Sequence, residues 1–208
     1  MNTKHLLHPE LHPIAEAVPA FKFTRDNLDQ FRNARLSSAA LGDAEASGVT
    51  REEVVINSTA ARGGTHKMSC LLYRPKNESS NSAYLHIHGG GYVGGRKEYA
   101  DSMNTLIARK LGITVLAVGY RLAPEHPVPT PLDDCYSALA WLHDQAEQLG
   151  IESCRIAIGG ESAGGGLAAA LAIRARDAGK YPVCHQRLTY PMLDHRTGTP
   201  EHFGDPLV

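Results

Sequence analysis

From residue 82 to residue 193 the chain alternates between two kinds of segment, and that alternation limits the fold more than anything else in it. The runs "SAYLHIHGG" (82–90), "ITVLAVGY" (113–120), "CRIAIGG" (154–160) and "QRLTYPML" (186–193) are short and apolar, as strands are. "ITVLAVGY" is apolar almost throughout, as a strand covered on both faces should be. Between these runs lie helical patterns. "DSMNTLIARKLG" (101–112) places Met103, Leu106, Ile107 and Leu111 on one face, to be stopped by Gly112. A second helix is expected from a cap at Thr130, with Pro131 at its first position, to Gly150. A third, over 161–179, is apolar nearly all round and is expected to be deeply buried. Strand and helix in strict alternation predict an α/β architecture: a mostly parallel sheet with helices on both faces. Ahead of it, "EEVVINST" (52–59) and "HKMSCLLYRP" (66–75) flank the turn "ARGGT" (61–65) and read as an antiparallel hairpin.

In such sheets reactive groups gather at the carboxyl ends of the strands. Two unusual segments fall there. The first is Gly160-Glu161-Ser162-Ala163-Gly164, a GxSxG pattern between an apolar strand and an apolar helix. A serine on that sharp turn is pushed outward, and the following helix points its positive end at it. The pattern alone arises by chance in roughly one chain in fifteen of this length. The second segment is His88-Gly89-Gly90-Gly91, whose chance occurrence is on the order of one chain in several hundred. Three glycines let bare N–H groups approach a ligand, and such groups can hold the oxyanion of an acyl-transfer intermediate. Position and rarity together point to Ser162 as nucleophile, with the bare N–H groups of the glycine run and the N–H of Ala163 able to hold an oxyanion. His88 precedes the serine, against the Ser, Asp/Glu, His order of this kind of site, so it is read as a structural histidine shaping its loop.

These residues bring the chain to a family. The segments "HIHGGGYVGG" (86–95), "YRLAPEHPVP" (120–129), "GGESAGGGLAAAL" (159–171) and "YPMLD" (190–194) resemble the hormone-sensitive-lipase-like branch of the α/β-hydrolases, mostly short-chain bacterial carboxylesterases. The resemblance implies hydrolysis of small-molecule esters through Ser162, with Gly90, Gly91 and Ala163 supplying the oxyanion-hole N–H groups and with no metal or organic cofactor. It allows a homodimer for a full-length member. It implies that residues 1–47 are N-terminal lid helices and residues 48–208 the α/β-hydrolase core. It makes Tyr120 to Pro127 a rigid connector, in which Arg121 and Glu125 are expected to pair with one another. Glu161 departs from the family's more frequent Asp at that place and puts in doubt any contact that needs the shorter carboxylate.

The family's triad acid and histidine follow its seventh and eighth strands, far beyond the serine. Here 46 residues follow Ser162 (208 − 162). Local substitutes are poor: Asp194 with His202 lacks a strand to carry the histidine back, Asp194 with His195 is too close in sequence, and His185 belongs at the opposite end of its strand. The expectation is a core without strands seven and eight and a 208-residue chain of little activity. The rival is a non-catalytic homologue that binds a small ligand.

Composition removes other classes. Twenty-one basic and 22 acidic residues leave a net charge of −1 and no electrostatic reason for nucleic acid or an anionic membrane. No apolar run approaches the roughly 18 residues of a membrane span. Cys70, Cys135, Cys154 and Cys184 are far apart, so they are expected to be reduced and mostly buried in a cytoplasmic protein, not to form a zinc site.

Overall fold

The computed structural model describes residues 4–17, 24–36, 44–59, 64–77 and 80–196. Two short helices come first, α1 (His12–Ala17) and α2 (Leu28–Leu36). The hairpin expected next is formed by β1 (Val49–Thr59) and β2 (Thr65–Pro75), antiparallel with Thr59 opposite Thr65. Most of its turn, 60–63, lies outside the described residues. Then come β3 (Ala83–Ile87), α3 (Asp101–Leu111), β4 (Thr114–Val118), α4 (Thr130–Asp144), α5 (Ala146–Leu149), β5 (Ile156–Glu161), α6 (Ala163–Ala178) and β6 (His185–Thr189). One sheet runs β1-β2-β4-β3-β5-β6. Its last four strands are mutually parallel, and the hairpin joins β4 antiparallel.

Period-two alternation sorts the sheet side chains into two layers. Leu72, Leu85, Ile87, Leu116, Val118, Ile156 and Ile158 face α4 and α6, where Leu139, Leu142, Leu167 and Leu171 cover them. Leu71, Tyr73, Tyr84, Val115 and Ala117 face the other way, toward Ala108 of α3.

Helix α3 is turned away from the expected face: of its four apolar positions only Ile107 packs against the sheet. Met103 is 48% exposed and Leu106 and Leu111 are also outside, while Asp101, Asn104, Thr105 and Ala108 are buried. The sheet face beneath α3 carries polar side chains, and a helix settles with the face that satisfies them inward. Helix α6 is likewise less enclosed than its composition promised: Leu167, Ala168, Leu171 and Ala175 are buried, but Ile173 is 53% exposed. The helix expected to reach Gly150 breaks at Gln145, whose N–H reaches back to the Trp141 and His143 carbonyls, and resumes as α5. Thr130 is the first helical residue of α4, not its cap. Strand β6 stops at Thr189, four residues early, because Tyr190 takes φ 37° and Pro191 has no N–H for the ladder. Of the four free cysteines only Cys70 and Cys135 are buried, and burial pushes the Cys70 thiol up to about 12.

The expected Arg121–Glu125 pair does not form. Arg121 instead grips Asp134 of α4, with Nη2 2.7 Å from Oδ1 and Nε 3.0 Å from Oδ2. The Arg121 N–H donates to the same carboxylate at 2.9 Å, and Ser58 of β1 donates its hydroxyl there as well. Asp134 is fully buried, so four donors replace the water it lost. Glu125 is bound to Arg32 instead. Removing one partner of a buried pair strands the other. Asp134→Ala should therefore cost about 3–5 kcal/mol and lower the thermal midpoint by at least about 6 °C in a calorimetric scan, whereas Asp134→Asn, which keeps two acceptor bonds, should lose less.

Candidate active site

In the register of the parallel strands Ile87 lies beside Gly160. The two segments singled out in the sequence therefore leave the sheet side by side. From β5 the chain passes through Ser162 at φ 54°, ψ −118° and enters α6 directly. That is a strained backbone for a residue with a Cβ, and it persists only where the surroundings dictate it. Here the Ser162 N–H donates to the Thr189 carbonyl at 3.0 Å, and the Ser162 carbonyl accepts from the N–H groups of Gly166 and Met192, each at 3.0 Å. The Ser162 hydroxyl makes no capping bond to its helix. Gly164 sits so close to β3 that a Cβ on it would overlap the Ile87 and His88 carbonyl oxygens.

The glycine loop folds over the turn. A Cβ on Gly89 would stand 2.8 Å from the Glu161 carbonyl oxygen and 3.3 Å from Ser162 Cβ, so this backbone lies against the serine. Gly90 takes φ 129° and Gly91 φ 63°, and the Gly90 carbonyl accepts from the Gly94 N–H at 2.9 Å. Ala163 is the first residue of α6 and is buried at the same corner. The structure thus brings Ser162, Gly90, Gly91 and Ala163 to one end of the sheet.

His88 is built into the scaffold. It is 3% exposed, stacks on the Tyr120 ring at 4.2 Å, and donates its Nδ1–H to the Gly89 carbonyl at 2.8 Å. Tyr120 donates its hydroxyl to the His88 carbonyl at 2.9 Å, which ties the connector to the loop. Burial lowers the His88 pKa from 6.5 to about 4. Of the remaining candidates, His185 sits where it was expected. His185 pairs with Ala157, at the far end of β5 from Ser162. Asp194 is occupied by Arg196, whose guanidinium holds its carboxyl well below the usual range. His202 lies outside the described residues.

Three groups at this site were not singled out in the sequence. Arg32 of α2 donates Nε–H to the Val93 carbonyl at 2.8 Å and Nη2–H to the Ala123 carbonyl at 2.9 Å. It also forms a fork with both Glu125 oxygens at 2.9 Å, whose pKa this pairing brings down to about 2. Phe31 packs on Gly94, where any side chain would run into its ring. So α2 is fastened to the glycine loop and to the connector at once. The other two are His86 and Arg187, which both reach Glu161, at 2.9 Å and 3.6 Å. The signal that could have revealed them is polarity inside apolar strand runs, in "HIHGG" and "QRLTYP".

The family described as alpha/beta hydrolase fold matches residues 84–206. An ethyl acetate hydrolase of Pseudomonas putida is 44% identical over 118 residues, 55% of this chain and 37% of that protein. Esterase LipI of Mycobacterium tuberculosis is 33% identical over 191 residues, 90% of this chain and 58% of that protein. Among solved structures, a bacterial heroin esterase matches with a TM-score of 0.83 at 37% identity, over 95% of this chain and 62% of that one. The chain therefore spans between 37% and 62% of the length of these relatives.

The geometry makes two testable statements. His88 is held neutral, so between about 6.5 and about 4 the unfolded chain binds a proton that the folded chain refuses. Its contribution to stability is complete above pH 6.5 and declines as the pH falls toward 4. Urea unfolding at stepped pH should show that slope, and His88→Gln should flatten it. Arg32→Ala should release α2: amide exchange over 28–33 and 93–95 should rise together, while exchange in β4 stays unchanged.

Proposed function

The chain belongs to the α/β-hydrolase fold family, and we propose that Ser162 makes it part of a carboxylic ester hydrolase acting on small, short-chain esters. The observation that carries this is the meeting of the strained Ser162 turn with the Gly89–Gly91 backbone, through the register of β3 and β5. Both halves of an acyl-transfer site are then adjacent: a hydroxyl free of capping duty and a stretch of backbone without side chains. The esterase names of the relatives support the same class of reaction.

The chemistry follows from that arrangement. Ser162 Oγ attacks the ester carbonyl carbon and gives up its proton to a general base. The carbonyl oxygen becomes an oxyanion that accepts hydrogen bonds from the N–H groups of Gly90, Gly91 and Ala163, and the positive end of α6 faces the same charge. The alcohol leaves with the proton returned by the base, and water then releases the acid by the reverse sequence. Among the described residues no histidine hydrogen-bonds the Ser162 hydroxyl. The base therefore belongs to a part of the protein outside them. No cofactor has a role in this scheme. Residues 1–47 serve as the lid over residues 48–208, a reading supported by the hold of Arg32 and Phe31 on the glycine loop. No helix among the described residues is long and apolar enough to cross a membrane. The four free cysteines are consistent with a cytoplasmic enzyme.

Hydrolysis of p-nitrophenyl acetate and butyrate tests the proposal, using the 208-residue chain and a chain extended to the length of its relatives. The extended chain should turn over both esters, and Ser162→Ala should lower kcat by about 10⁴-fold or more. The 208-residue chain should retain only a small fraction of that rate. An extended Ser162→Ala variant with an unchanged rate would refute the assignment. Tight, saturable binding of a small carboxylate without turnover would favour the binding-module alternative.

A further inference from the structure

The reversed face of α3 has a chemical cause. Along β3 and β5 the side chains directed at α3 are those of Tyr84, His86, Ala157 and Glu161, so the sheet meets the helix with polar groups near its carboxyl end. His86 is 2% exposed and engaged at both ring nitrogens. Asn104 Nδ2 of α3 is 3.2 Å from Nδ1, and Glu161 Oε2 is 2.9 Å from Nε2. An amide NH₂ can only donate, so Nδ1 accepts and the ring proton resides on Nε2, from which it donates to the Glu161 carboxylate. The second oxygen, Oε1, lies 3.6 Å from Arg187 Nη1 of β6. Burial pushes the Glu161 carboxyl up, but the hydrogen bond from His86 and the positive charge of Arg187 outweigh it and leave the group below its usual range. The charged and titratable groups facing Glu161 are thus His86 and Tyr84 from β3 and Arg187 from β6, with Asn104 of α3 behind them.

Glu161 is the residue before Ser162, and its side chain leaves the elbow on the face opposite α6. Backbone bonds to Thr189 and Met192 hold the turn from one side. We infer that Asn104, His86 and Arg187 are positioning residues: through the Glu161 carboxylate they clamp the nucleophile turn from below and hold Ser162 and the Ala163 N–H in their reactive orientation. This rests on Ser162 being the nucleophile. A backbone held at φ 54° relaxes unless its neighbours over-determine it, and an ionised carboxylate held from two strands supplies that constraint. An aspartate, one methylene shorter, would fall short of His86 with the ring where it stands. The glutamate in GESAG is therefore matched to His86 in HIHGGG and to Asn104 on a helix that turns its apolar face outward to deliver it.

The test reads the clamp in the 208-residue chain and the nucleophile in a chain extended to the length of its relatives, comparing in each the unmodified protein with Glu161→Ala, Glu161→Asp and Glu161→Gln. Imidazole ¹⁵N spectra should place the His86 proton on Nε2 in the unmodified chain. In Glu161→Ala that proton signal should be lost to exchange. Amide exchange at Ser162, Ala163 and Gly164 should rise at least about tenfold, the loss expected for one charge-assisted bond, while Val115–Ala117 keep their rates. Glu161→Gln, whose amide oxygen still accepts from Nε2–H, should recover most of the protection, and Glu161→Asp little of it. Labelling of Ser162 by a fluorophosphonate should fall in step with the loss of protection. If the unmodified extended chain takes no label, the nucleophile assignment fails while the exchange data still judge the clamp. Exchange at 162–164 that is unchanged in Glu161→Ala, or that rises equally across β4, overturns the inference, as does a His86 proton found on Nδ1.

Discussion

The structure depends on one close approach: the backbone at the carboxyl end of β3 touches the turn that follows β5. Gly160 and Gly164 present no Cβ to the Ile87 and His88 carbonyls, so the two strand ends can lie at sheet spacing while one enters a loop and the other a helix. Any side chain there would push the glycine loop away from Ser162. The serine's conformation, the loop's position and the entry of α6 are consequences of that contact, and separating the strands would lose all three together.

Around this contact the protein spends polar groups in places where composition alone would put hydrocarbon. Asp134 is buried under four donors drawn from the connector and β1, and it fixes the path from Tyr120 toward the proline-rich segment. Tyr120 then holds the start of the glycine loop through His88. On the other layer, Arg51, Asp101 and Tyr73 form a second buried group next to Asn104: Arg51 and Tyr73 both reach Asp101, at 2.9 Å and 3.0 Å. Such groups stabilise little relative to well-packed hydrocarbon, but each is satisfied only in one arrangement. They cluster where the positions of loops and turns matter most.

The ion pairs show why local sequence misleads at this scale. Arg121 and Glu125 are four residues apart and of opposite charge, yet each has a partner elsewhere: Asp134 on α4 for one, Arg32 on α2 for the other. A connector without regular structure has no helical spacing to bring the two together, whereas α4 and α2 arrive from other parts of the chain with rigid, complementary groups. In α3 the apolar positions at helical spacing suggested a buried face. Periodicity locates a stripe on a helix, but whether the stripe turns inward depends on what the sheet offers, and here it offers His86.

What the chain's own order of residues determined is the class of fold and which segments meet at the carboxyl ends of its strands. Strand and helix alternate strictly from residue 82, and a mostly parallel sheet covered by helices buries those apolar runs. GESAG and HGGG carry much of their geometry in their glycines, since Gly160 and Gly164 allow the close approach and Gly90 and Gly91 take positive φ without strain. The hairpin, the parallel strands and Ser162, Gly90, Gly91 and Ala163 at one end of the sheet were legible for that reason. The tertiary structure alone decided which charges meet, which face of α3 is buried, where α4 breaks and how α2 is fastened to the glycine loop. These depend on groups that the chain brings together from segments up to 93 residues apart, as in Arg32 with Glu125. Contacts of that kind have no short-range pattern, because satisfying a buried polar group requires only that a partner arrive with the right geometry, from whatever part of the chain it comes.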